Sequence, residues 1–171
     1  MRKYVRLMAA MFVIGILSGC ATTSTMKDAQ TGQMNTQDIP VLDNTMSVYV
    51  AVTASNQDYA KERDILSDNL ITKMKEDGFN VSGSANDALQ KVEVNIIYLK
   101  RVNPGARFIL GVLAGPAELN VIVNLSTPEK NGRFRLDTSA LDWTGFAGTT
   151  EQTLAKVAER IAKAVHGKRI E

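Results

Sequence analysis

The sequence predicts an α+β fold: a two-layer domain, a mainly antiparallel sheet with two helices packed on one face. Three observations predict it. Val92, Val94, Ile96 and Tyr98 alternate with Glu93, Asn95, Ile97 and Leu99, and Leu119, Val121, Val123 and Leu125 alternate with Asn120, Ile122, Asn124 and Ser126. A period of two belongs to strands. Two other stretches, one before Gly78 and one before Gly167, carry apolar residues every three to four positions, the period of a helix. A turn over Pro128–Gly132 joins the second alternating run to Arg133-Phe134-Arg135-Leu136, which makes an antiparallel hairpin. At 171 residues the chain has room for one domain and a real core.

The globular domain is expected over residues 46–171. Met46 to Val52 (MSVYVAV) alternates and is β-rich, so it opens the domain as a strand. Ser55 is placed to cap the helix that follows, with Asp58 in its first turn, where a negative charge suits the helix dipole. That helix runs from about Gln57 to Asp77. Tyr59, Ile65, Leu66, Leu70, Ile71 and Met74 form its apolar stripe, and Gly78 is its stop. Phe79 and Val81 begin a short return strand, ended by Gly83, Ser84 and Asn86. Pro104-Gly105 breaks the long alternating run. After the hairpin a further extended piece is expected through Leu141 and Trp143. Thr149-Thr150-Glu151-Gln152 has the capping-box pattern. In the last helix Leu154, Val157, Ala158, Ile161, Ala162 and Val165 face the core, and Lys156, Glu159, Arg160 and Lys163 lie outside.

The N-terminus reads as an address. Arg2, Lys3 and Arg6 precede an apolar run from Leu7 to Leu17. A membrane-spanning helix needs about 20 apolar residues, so this run is too short. A charged start, a short apolar stretch and small residues mark a secretory signal. Leu17-Ser18-Gly19-Cys20 resembles a bacterial lipobox. The resemblance implies a signal peptide over 1–19, cleavage between Gly19 and Cys20, diacylglycerol on the Cys20 thiol and acylation of its amine. Only a thiol gives the stable thioether. One acyl chain holds a protein weakly, and two or more hold it firmly, at about 0.8 kcal/mol per buried methylene. In that class Ala21, where an Asp would favour the inner membrane, implies the outer membrane. Residues 20–45 are expected to be the lipidated Cys and a flexible tether, rich in Thr, Gln, Asp and Asn with no apolar period.

Charge and chemistry exclude several functions. The 20 basic residues nearly balance 18 acidic ones, and loss of Arg2, Lys3 and Arg6 with the signal leaves a net of −1. The chain is therefore not expected to bind nucleic acid. One Cys builds no zinc finger, iron–sulfur site or disulfide framework. The one His, His166, falls at the end of the last helix, where a cation suits the dipole better than a general base would. No nucleophile elbow, zinc-protease motif or phosphate loop is present. Glu62 with Asp64, and Glu76 with Asp77, are close in sequence but do not converge from one helix. No catalytic residue, metal or cofactor is expected.

One segment stands out. Phe108-Ile109-Leu110-Gly111-Val112-Leu113-Ala114-Gly115 lies between strands, where polar turn residues are expected. Two readings stay open. It is a buried element that caps the core, or Phe108, Ile109, Leu110, Val112 and Leu113 form an exposed contact loop for a partner protein, a bilayer or another copy. Arg101 and Arg107 flank it.

The order of features is itself familiar. An apolar Gly-rich loop, Gly105 to Pro116, precedes a strand of the type Ala-x-Leu-x-Val-x-Val-x-Leu, Ala117 to Leu125. A Gly turn, a strand and Trp143-Thr144-Gly145-Phe146-Ala147-Gly148 then lead into a C-terminal helix. This resembles the uncharacterised bacterial lipoproteins of domain-of-unknown-function family 4410, over about residues 46–167. The resemblance implies an envelope lipoprotein and brings no catalytic residues with it. The expectation is an outer-membrane-anchored lipoprotein facing the periplasm, held to the membrane through acylated Cys20. It would act as a non-catalytic binding or scaffold subunit, with an envelope protein or another copy of itself as partner. The alternative is a lipid- or small-ligand-binding module, with the apolar loop lining a pocket. A glycan hydrolase using carboxylates alone would need two convergent acids, which the sequence does not offer.

Overall fold

The computed structural model describes residues 21–28, 39–102, 105, 109–110, 115–141 and 149–167. Among them lie the strands β1 (Ala21–Asp28), β2 (Ser47–Ala54), β3 (Asn80–Ser82), β4 (Gln90–Lys100), β5 (Ala117–Ser126) and β6 (Asn131–Leu141), with helices α1 (Ala60–Glu76) and α2 (Thr150–Val165). The strands form one sheet in the order β1-β6-β5-β4-β2-β3. The junctions β1–β6, β6–β5 and β5–β4 are antiparallel, whereas β4–β2 and β2–β3 are parallel. The fold is α+β and the sheet is mixed. Helix α1 carries the chain from the end of β2 back to the start of β3, which makes β2–β3 parallel, and residues 83–89 then lead to β4 on the other side of β2, with Gln90 level with Val48.

One face of the sheet makes the core. Val48 and Val50, Val92, Val94 and Ile96, Leu119, Val121, Val123 and Leu125, and Phe134 and Leu136 are buried there. Leu66, Leu70 and Met74 from α1, and Leu154, Val157, Ala158, Ile161 and Val165 from α2, complete the cluster. The helices pack on each other as well as on the sheet. The alternate strand positions, among them Lys91, Glu93, Asn120, Asn124, Arg133 and Arg135, stay partly or fully exposed on the opposite face. A half-solvated sheet of this kind explains the clean alternation in the sequence.

The expected tether is corrected in two places. Ala21–Asp28 is an edge strand, paired with β6 from Ala21 opposite Leu141 to Asp28 opposite Phe134. Met26, opposite Leu136, is 8% exposed. Lys27 reaches the Asp137 carboxylate at 3.3 Å. Thr22, Thr23 and Thr25 are polar, yet β-branched residues fit a strand; polarity alone suggests a linker. Residues 39–45 also belong to the folded domain. Leu42 is 5% exposed, and its N–H donates to the Val165 carbonyl at 2.8 Å. The buried Gln90 amide clasps Asp43: the Asp43 N–H donates to Gln90 Oε1 at 2.9 Å, and Gln90 Nε2 donates to the Asp43 carbonyl at 2.7 Å. The domain thus starts before residue 46.

Smaller differences have local causes. Asn56 caps the first helical stretch, its side chain accepting from the Asp58 N–H at 3.0 Å, whereas Ser55 meets Asn95 instead. A single 3₁₀ turn, Gln57–Tyr59, then leads into α1. A bulge between Ile96 and Tyr98 shifts the register of β4. It places Tyr98 opposite Asn120, 43% exposed, and returns Leu99 to the core. The hairpin turn is tighter than expected, closed over Thr127–Lys130 by the Thr127 N–H to Lys130 carbonyl bond at 3.0 Å. Residues 131–141 are then one continuous strand, not a short arm followed by a separate piece. The capping box is present as expected: the Gln152 N–H donates to Thr149 Oγ1 at 3.4 Å, and the Thr149 N–H to Gln152 Oε1 at 3.2 Å.

Candidate functional site

One end of the sheet adjoins, along the chain, both Cys20 and the candidate contact loop. There β4 finishes at Lys100, opposite Glu118. β5 begins at Ala117, opposite Ala140, and β1 begins at Ala21, opposite Leu141. Both helices start at this end too. The chain leaving β4 is tied to each of them in turn.

Arg101 is tied to α1. Its Nε donates to Glu62 Oε1 at 2.6 Å and its Nη2 to Glu62 Oε2 at 3.0 Å, a two-pronged ion pair. Nη2 also donates to the Asp58 carbonyl, and the guanidinium lies 5.5 Å over the Tyr59 ring. The Glu62 side chain is 9% exposed and that of Arg101 47%. The Arg101 hydrogen bond holds the Glu62 carboxyl below its ordinary value, against the upward pull of burial. Val102 is tied to α2. Its N–H donates to Thr150 Oγ1 at 3.0 Å, and the Thr150 N–H donates to the Val102 carbonyl at 3.2 Å. The segment that begins after Val102 therefore leaves from a fixed point.

Within that segment Ile109 and Leu110 are helical, 80% and 51% exposed. These two side chains are therefore not buried in the core. Phe108, Val112 and Leu113, with Gly19, Cys20 and Trp143–Gly148, lie outside the described residues. The chain returns through Gly115, whose φ of +73° is one a side chain rarely adopts.

The carboxylates close in sequence do not converge. Glu62 turns inward to Arg101, Asp64 pairs with Arg63 at 2.7 Å, and Glu76 pairs with Lys73 at 2.5 Å. Glu62 is buried although it carries a charge. Arg101 stands 39 residues away, and no local pattern links the two. His166 caps the end of α2 and meets Phe79 edge to face, with centroids 5.4 Å apart. Among the described residues no group of three or more His, Cys, Asp or Glu is placed to hold a metal ion, and no helix is long and apolar enough to cross a membrane. Among the described residues the open sheet face carries shallow depressions; one, of about 380 Å³, is bordered by Lys91, Glu93, Asn124, Leu125, Asn131 and Arg133. Another, of about 220 Å³, is bordered by Thr25, Glu118, Asn120, Asp137 and Ser139.

No family model matches the chain, and no curated protein does. The fold is similar to that in the PelC dodecamer from Paraburkholderia phytofirmans. The TM-score is 0.53 at 7% identity, over 88% of this chain and 100% of that one. It is also similar to a Xanthomonas campestris protein of domain-of-unknown-function family 330, with a TM-score of 0.50 at 12% identity, over 77% of this chain and 93% of that one. At such identities the likeness is one of fold.

Proposed function

We propose that the protein is a periplasmic lipoprotein of the outer membrane, anchored through acylated Cys20, which self-associates and serves without catalysis as a binding or scaffold subunit of an envelope assembly. The observation that supports this most is the fold shared with a subunit of a dodecamer over 88% of this chain. The lipobox-like Leu17-Ser18-Gly19-Cys20 and the resemblance to the family 4410 lipoproteins supply the anchor and the compartment. The open sheet face suits a subunit contact, because it mixes Lys27, Lys91, Arg133 and Arg135 with Glu93, Glu118 and Asp137 and can complement itself in a repeated arrangement.

The test is detergent extraction of the full-length protein from outer membranes, followed by native mass spectrometry and light scattering. The expected result is a closed oligomer whose N-terminal residue is Cys20 carrying acyl mass. A chain that stays monomeric at every concentration would overturn the scaffold reading. An unmodified Cys20 would overturn the anchor.

A further inference from the structure

We infer that the end of the domain bearing Ile109 and Leu110 is seated in the bilayer surface, beside the lipid anchor and with no tether between them. The inference rests on the acylation of Cys20 proposed above and adds an orientation and a second membrane contact. Its basis is the register of β1. Ala21 is already paired with Leu141, so the strand begins at the residue bonded to Cys20. Consecutive Cα atoms are about 3.8 Å apart, which keeps the anchor at this end of the sheet. Ala117, opposite Ala140, lies two strand spacings from β1, or about 10 Å.

Ile109 and Leu110 lie in the stretch of chain that leaves this end after Val102 and re-enters it at Gly115, just before Ala117. Leu110 stands seven positions before Ala117, a reach of at most about 25 Å. A single exposed Leu is unremarkable on a protein surface. Here Ile109 and Leu110 are exposed together within reach of a membrane that the anchor holds nearby, so their insertion is an intramolecular step at high effective concentration. The cations at this rim do not stand alone: Lys100 meets Glu118 at 3.4 Å, and Arg101 is held by Glu62. The far end, with the Thr127–Lys130 turn, points away from the anchor.

The test uses the mature acylated protein in vesicles of phosphatidylethanolamine and phosphatidylglycerol that contain doxyl-labelled acyl chains. Cys20 is the sole cysteine, and acylation consumes its thiol, so one introduced cysteine takes an environment-sensitive fluorophore uniquely. Leu110→Cys reports the proposed contact and Glu129→Cys the opposite end. The expected result is blue-shifted, doxyl-quenched emission from position 110 and neither effect at 129. With acyl mass present on Cys20, water-like emission at 110 would overturn the seating and leave the lipoprotein reading standing. A blue shift at 110 without quenching would mean that another copy of the chain covers the segment, which also overturns it. Absence of acyl mass would overturn both readings.

Discussion

Arg101 and Glu62 lock the end of β4 to the first turns of α1 through two hydrogen bonds, 2.6 and 3.0 Å, on one buried carboxylate. The arrangement joins the sheet to the helical layer at the point where the chain departs toward Ile109. Arg101→Ala would leave Glu62 buried without its partner. The expected loss is about 1–3 kcal/mol, read by urea denaturation at neutral pH. The pH dependence has a definite sign. The folded-state pKa of Glu62 is depressed from 4.5, so its contribution is present above that value and is lost as pH falls through the folded one. The gap between wild type and Arg101→Ala should therefore narrow below about pH 4.5. A gap that persists unchanged into acid would show that the ion pair is not its source.

A different clasp closes the other end. Gln90, 1% exposed, holds both backbone polar groups of Asp43 and so fixes residues 39–45 across the start of β4. Gln90→Ala should cost about 1–3 kcal/mol. Hydrogen exchange should place the loss at Leu42 and Asp43, whose amides would exchange faster while those of β5 keep their protection. Equal acceleration throughout the sheet would point to a general packing defect.

Gly132 and Pro40 make a close contact that only glycine permits. A Cβ at Gly132 would stand 2.2 Å from Pro40 Cδ, in ring carbons with little freedom to move. Gly132→Ala should destabilise by about 1–3 kcal/mol through overpacking. Gly83→Ala, where a Cβ meets nothing within 4 Å, serves as a control with little effect. Pro40→Ala in the Gly132→Ala background should recover part of the loss, and a double-mutant cycle measures the coupling. Strict additivity would refute the contact.

Glu159 should contribute to acid stability. It accepts from Lys163 at 2.8 Å and Lys156 at 2.9 Å, bonds that lower its pKa to about 2. A depressed carboxylate stabilises above its ordinary value of 4.5 and loses that contribution between 4.5 and about 2. Glu159→Gln should cost no more than about 1 kcal/mol at neutral pH, because the site is partly solvated. The difference from wild type should vanish near pH 2 in thermal melts.

The alternating runs of β4 and β5 and the capping box of α2 were legible in the sequence, because each rests on local periodicity or on residues three apart. The bulge after Ile96 was not, since an inserted residue leaves the pattern intact and reverses it only through the partner strand. Nor was β1: Thr-rich polarity is shared by linkers and edge strands, and the pairing with β6 spans more than a hundred residues. The Arg101–Glu62 and Gln90–Asp43 links escaped for the same reason, as each joins residues about 40 or more apart. Of the candidate contact loop, the apolar character was legible, but the exposure of Ile109 and Leu110 required the fold.

The account turns on β1 being part of the sheet from the residue after Cys20. Hydrogen exchange on the mature acylated protein, resolved to single amides over 21–28, tests it most directly. In a paired edge strand alternate amides donate to β6 and the others face solvent. The account predicts slow and fast exchange in alternation from 21 to 28, the slow set matching β6. Uniformly fast exchange across the segment would make it a tether, release the domain from the membrane surface and contradict the orientation.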